Sequence, residues 1–124
     1  MDDEEITDTP KELSLQDQLD AISTEKNPNA RKGTIISQKL TVPITTGGEE
    51  IYYLDYIEPG VKELRKYGAT GEIDIKKHTL KFDMDIIALY VEKLCALSRD
   101  DANKIKLVDF EVCKAIILVF FPLL

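Results

Sequence analysis

IYYLDYIEPGVKELRK, residues 51–66, holds two structural periods and the break between them. Its first half is β-branched, aromatic or leucine at nearly every position, the composition of a strand. Tyr52, Leu54 and Tyr56 fall on one face; Ile51, Tyr53 and Ile57 fall on the other, with Asp55 among them. Pro59-Gly60 then stops the strand, because proline withdraws a ladder donor and glycine weakens a strand interior. Val61, Leu64 and Arg65 open a helix of about two turns, which Gly68 ends as a glycine just past a helix does. A strand apolar on both faces needs cover on both. Tyr52, Leu54 and Tyr56 are expected under the chain's own helices. Ile51, Tyr53 and Ile57 are left for a second copy or another protein.

Upstream, residues 35–44 read IISQKLTVPI, in which Leu40, Val42 and Ile44 alternate with Thr41 and Pro43. That is the period of a half-buried strand, with Pro43 confined to an edge because it has no N–H to donate. Thr45-Thr46-Gly47-Gly48 joins it to the strand after it, and Gly-Gly between two alternating runs is a hairpin signal. Before the hairpin, residues 1–30 carry nine acids against Lys11 and Lys26, which accounts for the whole net charge of −7. A polar, acidic arm buries too little apolar area to offset its ordering entropy, so most of it is expected to be disordered. Within it, Thr9-Pro10-Lys11-Glu12 is a capping-box pattern, and Leu15, Leu19 and Ile22 follow at helical spacing. This short amphipathic helix is either a solvated, frayed turn or a segment that docks on a partner or on its own domain.

Downstream, residues 69–81 are polar and read as a loop or a short strand around Glu72 to Ile75. From Phe82 the period becomes helical. Ile86, Leu89, Tyr90, Leu94 and Leu97 trace one face, widened by Ile87, Val91 and Cys95. Asp83 and Asp85 suit the start of that helix. Ser98 reads as the cap of a short helix reaching about Ile105, and Asp109 as the cap of the last helix, which Pro122 stops. In that last helix residues 116–121 are consecutively apolar. Either they close the core over the hairpin, or Ile117, Phe120 and Phe121 present an association surface.

A chain of 124 residues is one domain by length, and 44% hydrophobic with 31% charged residues places it among globular proteins. The fold expected is α+β: an N-terminal β-hairpin packed against a C-terminal group of three to four helices, with residues 31–124 as the domain and residues 1–30 as the disordered acidic arm. Clustered Lys and Arg are lacking, which argues against nucleic acid as a partner. The apolar tail, residues 115–124, is shorter than the ~20 residues of a membrane-spanning helix. Cys95 and Cys113 lack CxxC spacing and read as free buried thiols, with a disulfide as the alternative. An acidic start is unlike the basic opening of a secretory signal, so a cytoplasmic protein is expected. His78 has no second ligand at metal spacing, and no nucleophile has a histidine base in a known motif. No metal, no cofactor and no enzymatic activity are expected.

The domain resembles the tail assembly chaperones of Mu-like and related contractile-tailed phages over residues 38–121. The resemblance rests on Leu40-Thr41-Val42-Pro43-Ile44, on the Gly48-Glu49 turn, and on the strand end Leu54-Asp55-Tyr56-Ile57-Glu58-Pro59. Glu63-Leu64-Arg65 in the charged helix extends it, as do Ser98 and Asp109 ahead of the later helices. Where the family often has arginine after the second strand leucine, this chain has Tyr56 and Ile57. The resemblance implies a protein that binds the tape-measure protein, keeps it soluble and promotes tail tube assembly. The tail tube protein is a further partner it implies, along with a homo-oligomeric state. It also implies residence in the host cytoplasm and absence from the mature virion. A small structural tail or baseplate component is the alternative.

Overall fold

The computed structural model describes residues 14–23 and 25–122, and its spine is an antiparallel hairpin of β1 (Thr34–Thr46) and β2 (Glu49–Ile57). Gly47 and Gly48 both hold positive φ, +58° and +83°, which a two-residue turn matched to strand twist demands. Ser37 pairs with Asp55, Gln38 with Leu54 and Lys39 with Tyr53, and the ladder resumes only at Ile44 opposite Ile51. Between these points Leu40, Thr41, Val42 and Pro43 stand against Tyr52 alone. Pro43 thus sits in a bulge, where its missing donor costs no ladder bond. The bulge also resets the facing of β2. Leu54 and Tyr56 are buried as expected, but Tyr52 is turned out at 51% exposure, while Ile51 packs against the core.

Two amides freed by the bulge find one carboxylate. Thr41 N and Val42 N donate to Asp109 Oδ1 and Oδ2 at 2.8 and 3.1 Å, and Asp109 is only 2% exposed. The sequence suggested Asp109 as the cap of the last helix. Instead α5 (Leu107–Phe120) begins after Lys106, and Asp109 lies in its first turn with its side chain spent on the bulge. Beside it, Gln38 is buried among the core apolar residues and bonded through both its nitrogen and its oxygen. Its Nε2 donates to the Asp109 carbonyl at 2.9 Å. Its Oε1 accepts from the Tyr56 hydroxyl at 2.7 Å and from Cys113 Sγ at 3.2 Å. A buried amide satisfied at both ends costs little and fixes the register of strand on helix.

The acidic arm contributes a layer of the fold. Helix α1 (Leu15–Ile22) is capped by Ser14, whose Oγ accepts from Asp17 N at 3.1 Å, and Leu19 is fully buried against α5. Residues 15–22 of the arm thus belong with the hairpin and the later helices, because α1 supplies the apolar cover that one side of α5 needs. The Thr9-Pro10 capping box lies outside the described residues. Helices α2 (Val61–Tyr67), α3 (Met84–Leu94) and α4 (Arg99–Ala102) follow in order. Glu63 accepts from Gly60 N at 2.6 Å, Asp83 from Ile86 N at 3.2 Å, and Ser98 from Asp101 N at 3.1 Å, each closing a helix start. The α4 helix stops at Ala102 rather than continuing to Ile105. Tyr90 of α3 stacks on Phe121 at 4.2 Å and meets the Tyr67 ring edge-on at 5.6 Å.

Where a loop or a short strand is expected over residues 69–81, β3 (Gly71–Asp74) and β4 (Thr79–Phe82) form a second hairpin. His78 turns its tip with φ +53°. A Cβ at Gly71 would stand 2.4 Å from the Lys81 carbonyl, so the strands can approach only where glycine is. No described helix is long and apolar enough to cross a membrane. No group of three or more metal-ligating side chains occurs among the described residues.

Candidate functional site

The outward face of the hairpin carries a groove of about 840 Å³. Its floor is the stretch of β2 that carries Ile51, Tyr52 and Tyr53, with Ile51 also packed against the core from its other side. One wall is the stretch Asn27, Pro28, Asn29 and Arg31; the other is Cys95, Ala96 and Leu97 at the end of α3. Lys39, Glu49 and Glu50 add charge at the rim.

Each wall is held by identifiable bonds. Ser23 Oγ donates to the Ser37 carbonyl at 2.7 Å, starting the arm segment along β1. Asn27 Nδ2 then reaches both Asp55 oxygens at 3.3 and 3.1 Å, and Ser37 Oγ donates to Asp55 Oδ1 at 2.7 Å. Asn27 Oδ1 also accepts from Asn29 N at 2.9 Å, which closes a local turn. Arg31 donates to the Asp55 carbonyl at 3.1 Å and to the Leu94 carbonyl at the end of α3, where a cation suits the helix dipole. The second wall turns on Ala96, in the left-handed region at φ +55°. There Leu97 N donates back to Glu92 O at 2.8 Å, the six-to-one bond of a Schellman ending.

The face of β2 that the sequence left wholly for a partner is therefore shared. Its polar centre, Asp55, is covered by the chain's own Asn27 and Arg31. Tyr53 and Ile51 remain in the groove. Ile57 lies outside the groove lining and, like Ile51, is partly buried against the core. Among the terminal-helix candidates, Ile117 is fully buried and is a core residue, not a contact surface. Helix α5 is apolar all round because α1 lies on one side and β1 and α3 on others, so its extra faces are used internally. Phe120 and Phe121 are half-buried and, with Leu15, Val61 and Leu64, line a smaller cavity of about 290 Å³.

Burial, with Cys113 nearby, pushes the Cys95 thiol well above its ordinary value, so at neutral pH it is protonated and a weak nucleophile. Burial raises the Cys113 thiol to about 11. Both cysteines are free. At the rim, the Glu50 carboxylate accepts the Tyr52 hydroxyl and raises that phenol. Across the hairpin end, Thr46 Oγ1 donates to Asp101 Oδ2 at 2.6 Å and holds that carboxyl below its usual range.

Arg31 and Gln38 were not singled out from the sequence, and Leu97 was placed only on the apolar face of the helix from Phe82. Gln38 had a signal: it sits in phase with Ile36 and Leu40 on the core face, where a polar residue needs partners. Arg31 had none, since the contacts that place it span 24 and 63 residues, and the position of Leu97 depends on how the helix ends. No family model, curated protein or solved structure matches the chain.

Proposed function

We propose that this protein is a phage tail assembly chaperone that binds the tape-measure protein, keeps it soluble and promotes tail tube assembly. The observation that carries the reading is the groove over Tyr53 and Ile51. It lies on the strand that bears the family-like residues, and it joins an apolar floor to a charged rim. The other family-like residues have structural work in the same unit. Pro43 lies in the bulge, Gly48 in the turn, and Glu63 at the start of α2. A long helical client presents apolar side chains to such a groove, while the acidic balance of the chain keeps the complex in solution. The protonated state of Cys95 fits a binding role rather than a catalytic one.

The test is co-expression with a tape-measure protein, reading how much client stays soluble and co-purifies. Wild type should retain it. Tyr53→Asp should keep the fold and lose the client. Leu54→Asp should lose the fold itself, since Leu54 is 1% exposed and an unpaired carboxylate there costs several kcal/mol. If wild type neither solubilises nor retains the client, the reading fails.

A further inference from the structure

The β3–β4 ribbon is anchored at its base, where Phe82 packs against the core under Lys114 of α5, while Ile73, Leu80 and the turn beyond them stand clear. Ile73 lies directly opposite Leu80, so the two share a face; Glu72 opposite Lys81 and Asp74 opposite Thr79 share the other. Ile73 and Leu80 are 39% and 51% exposed, and Ile75 beyond them is 79% exposed. A two-stranded ribbon is marginal alone, and this one turns its apolar pair to solvent. Lys76, Lys77 and His78 form its tip. Just before it, α2 exposes Lys62, Arg65 and Lys66 beside exposed Val61 and Leu64. None of these cations is in an ion pair with a described residue. The complement of such a surface is an acidic segment with a few apolar side chains.

The chain carries one. Residues 1–13, MDDEEITDTPKEL, hold six acids and one lysine, with Met1, Ile6 and Leu13 as apolar members. This segment joins the described fold at Ser14, and Leu15 shares a cavity with Val61, Leu64 and Phe121. The Phe121 carbonyl accepts from Thr70 Oγ1 at 3.2 Å, one residue before the ribbon begins. The acidic segment therefore joins the fold beside α2 and close to Phe121, whose carbonyl holds Thr70 at the foot of the ribbon. Thirteen residues can span up to about 45 Å, several times the length of either element.

We propose that residues 1–13 bind the ribbon of their own chain, with acids at Lys76 and Lys77 and apolar side chains over Ile73, Ile75 and Leu80. The contact is intramolecular, so tethering supplies an effective concentration on the order of millimolar. It is also largely Coulombic at the surface, so salt loosens it. The proposal does not depend on the chaperone reading.

The test compares amide shifts of the ¹⁵N-labelled full chain with those of a variant carrying Asp2→Asn, Asp3→Asn, Glu4→Gln and Glu5→Gln. Signals of Ile73, Ile75, Lys76, Lys77 and Leu80 should move, while those of α4 stay put. High salt should move the wild-type signals the same way, and dilution should leave them unchanged. Tryptic cleavage after Lys76 and Lys77 should quicken by roughly three- to tenfold in the neutralised variant. A Lys76→Glu, Lys77→Glu variant should no longer respond to neutralising the segment. Ribbon signals indifferent to neutralisation would overturn the proposal, and so would a response that disappears on dilution, which would mean contact between copies.

Discussion

Replacing Asp109 with alanine strips the β1 bulge of its acceptor. Thr41 N and Val42 N then lose charge-assisted bonds of 2.8 and 3.1 Å, and a group only 2% exposed leaves no water-filled path to replace it. Each lost bond to an ionised acceptor is worth about 1.5–3 kcal/mol. The acid's favourable place in the first turn of α5 adds a few tenths more. The expected loss is thus about 3–6 kcal/mol, a large part of the ~5–15 kcal/mol that stabilises a domain. Urea unfolding followed by circular dichroism should show a midpoint lower by roughly 2 M at unchanged slope. Glu111→Ala, an exposed acid on the same helix, is the control and should fall within about 0.5 kcal/mol of wild type. Asp109→Asn keeps one acceptor but turns an amide donor toward a second donor, so it should lie between them. Hydrogen exchange gives the local reading: Thr41 and Val42 amides should lose protection selectively. If Asp109→Ala costs under about 1 kcal/mol, the bulge is held by something other than this carboxylate.

Other outcomes follow from single residues. Gly71→Ala should spread the ribbon, since its Cβ would meet the Lys81 carbonyl at 2.4 Å; the cross-strand amide bonds should exchange faster while α3 and α5 keep their protection. Ala96→Gly should relieve a left-handed alanine and raise stability by about 0.5–1 kcal/mol, read as a higher urea midpoint. The Cys113 thiol is raised from 9.0 to about 11, so its contribution is full below pH 9 and is lost as pH climbs toward 11. Two pH units correspond to about 2.7 kcal/mol. Cys113→Ala should therefore flatten the alkaline fall in stability relative to wild type, and a slope identical in both chains would contradict the assignment.

Local chemistry made several elements legible before any coordinates. Gly47-Gly48 specifies a two-residue hairpin turn because both positions need positive φ. Ser98 and Asp83 announce helix starts because their side chains bond amides three residues away. Leu54 and Tyr56 alternate inward. These are short-range facts, and the α+β order of hairpin followed by helices rests on them. What the sequence could not determine depends on residues far apart in it. The acidic arm reads as disordered because its own apolar area is small, yet Leu19 is fully buried once α5 offers it a surface. Ile117 reads as surplus because α1 is not counted as a layer. Asp109 reads as a cap, since nothing local reveals that a bulge 67 residues upstream needs two acceptors. Tyr52 belongs to the buried face by strict alternation, and four residues of β1 against one of β2 undo that alternation. The candidate groove follows the same division. Tyr53 and Ile51 are visible in the strand's own period. Arg31 and Leu97 join them only because tertiary packing brings an arm segment and a helix end to the same strand.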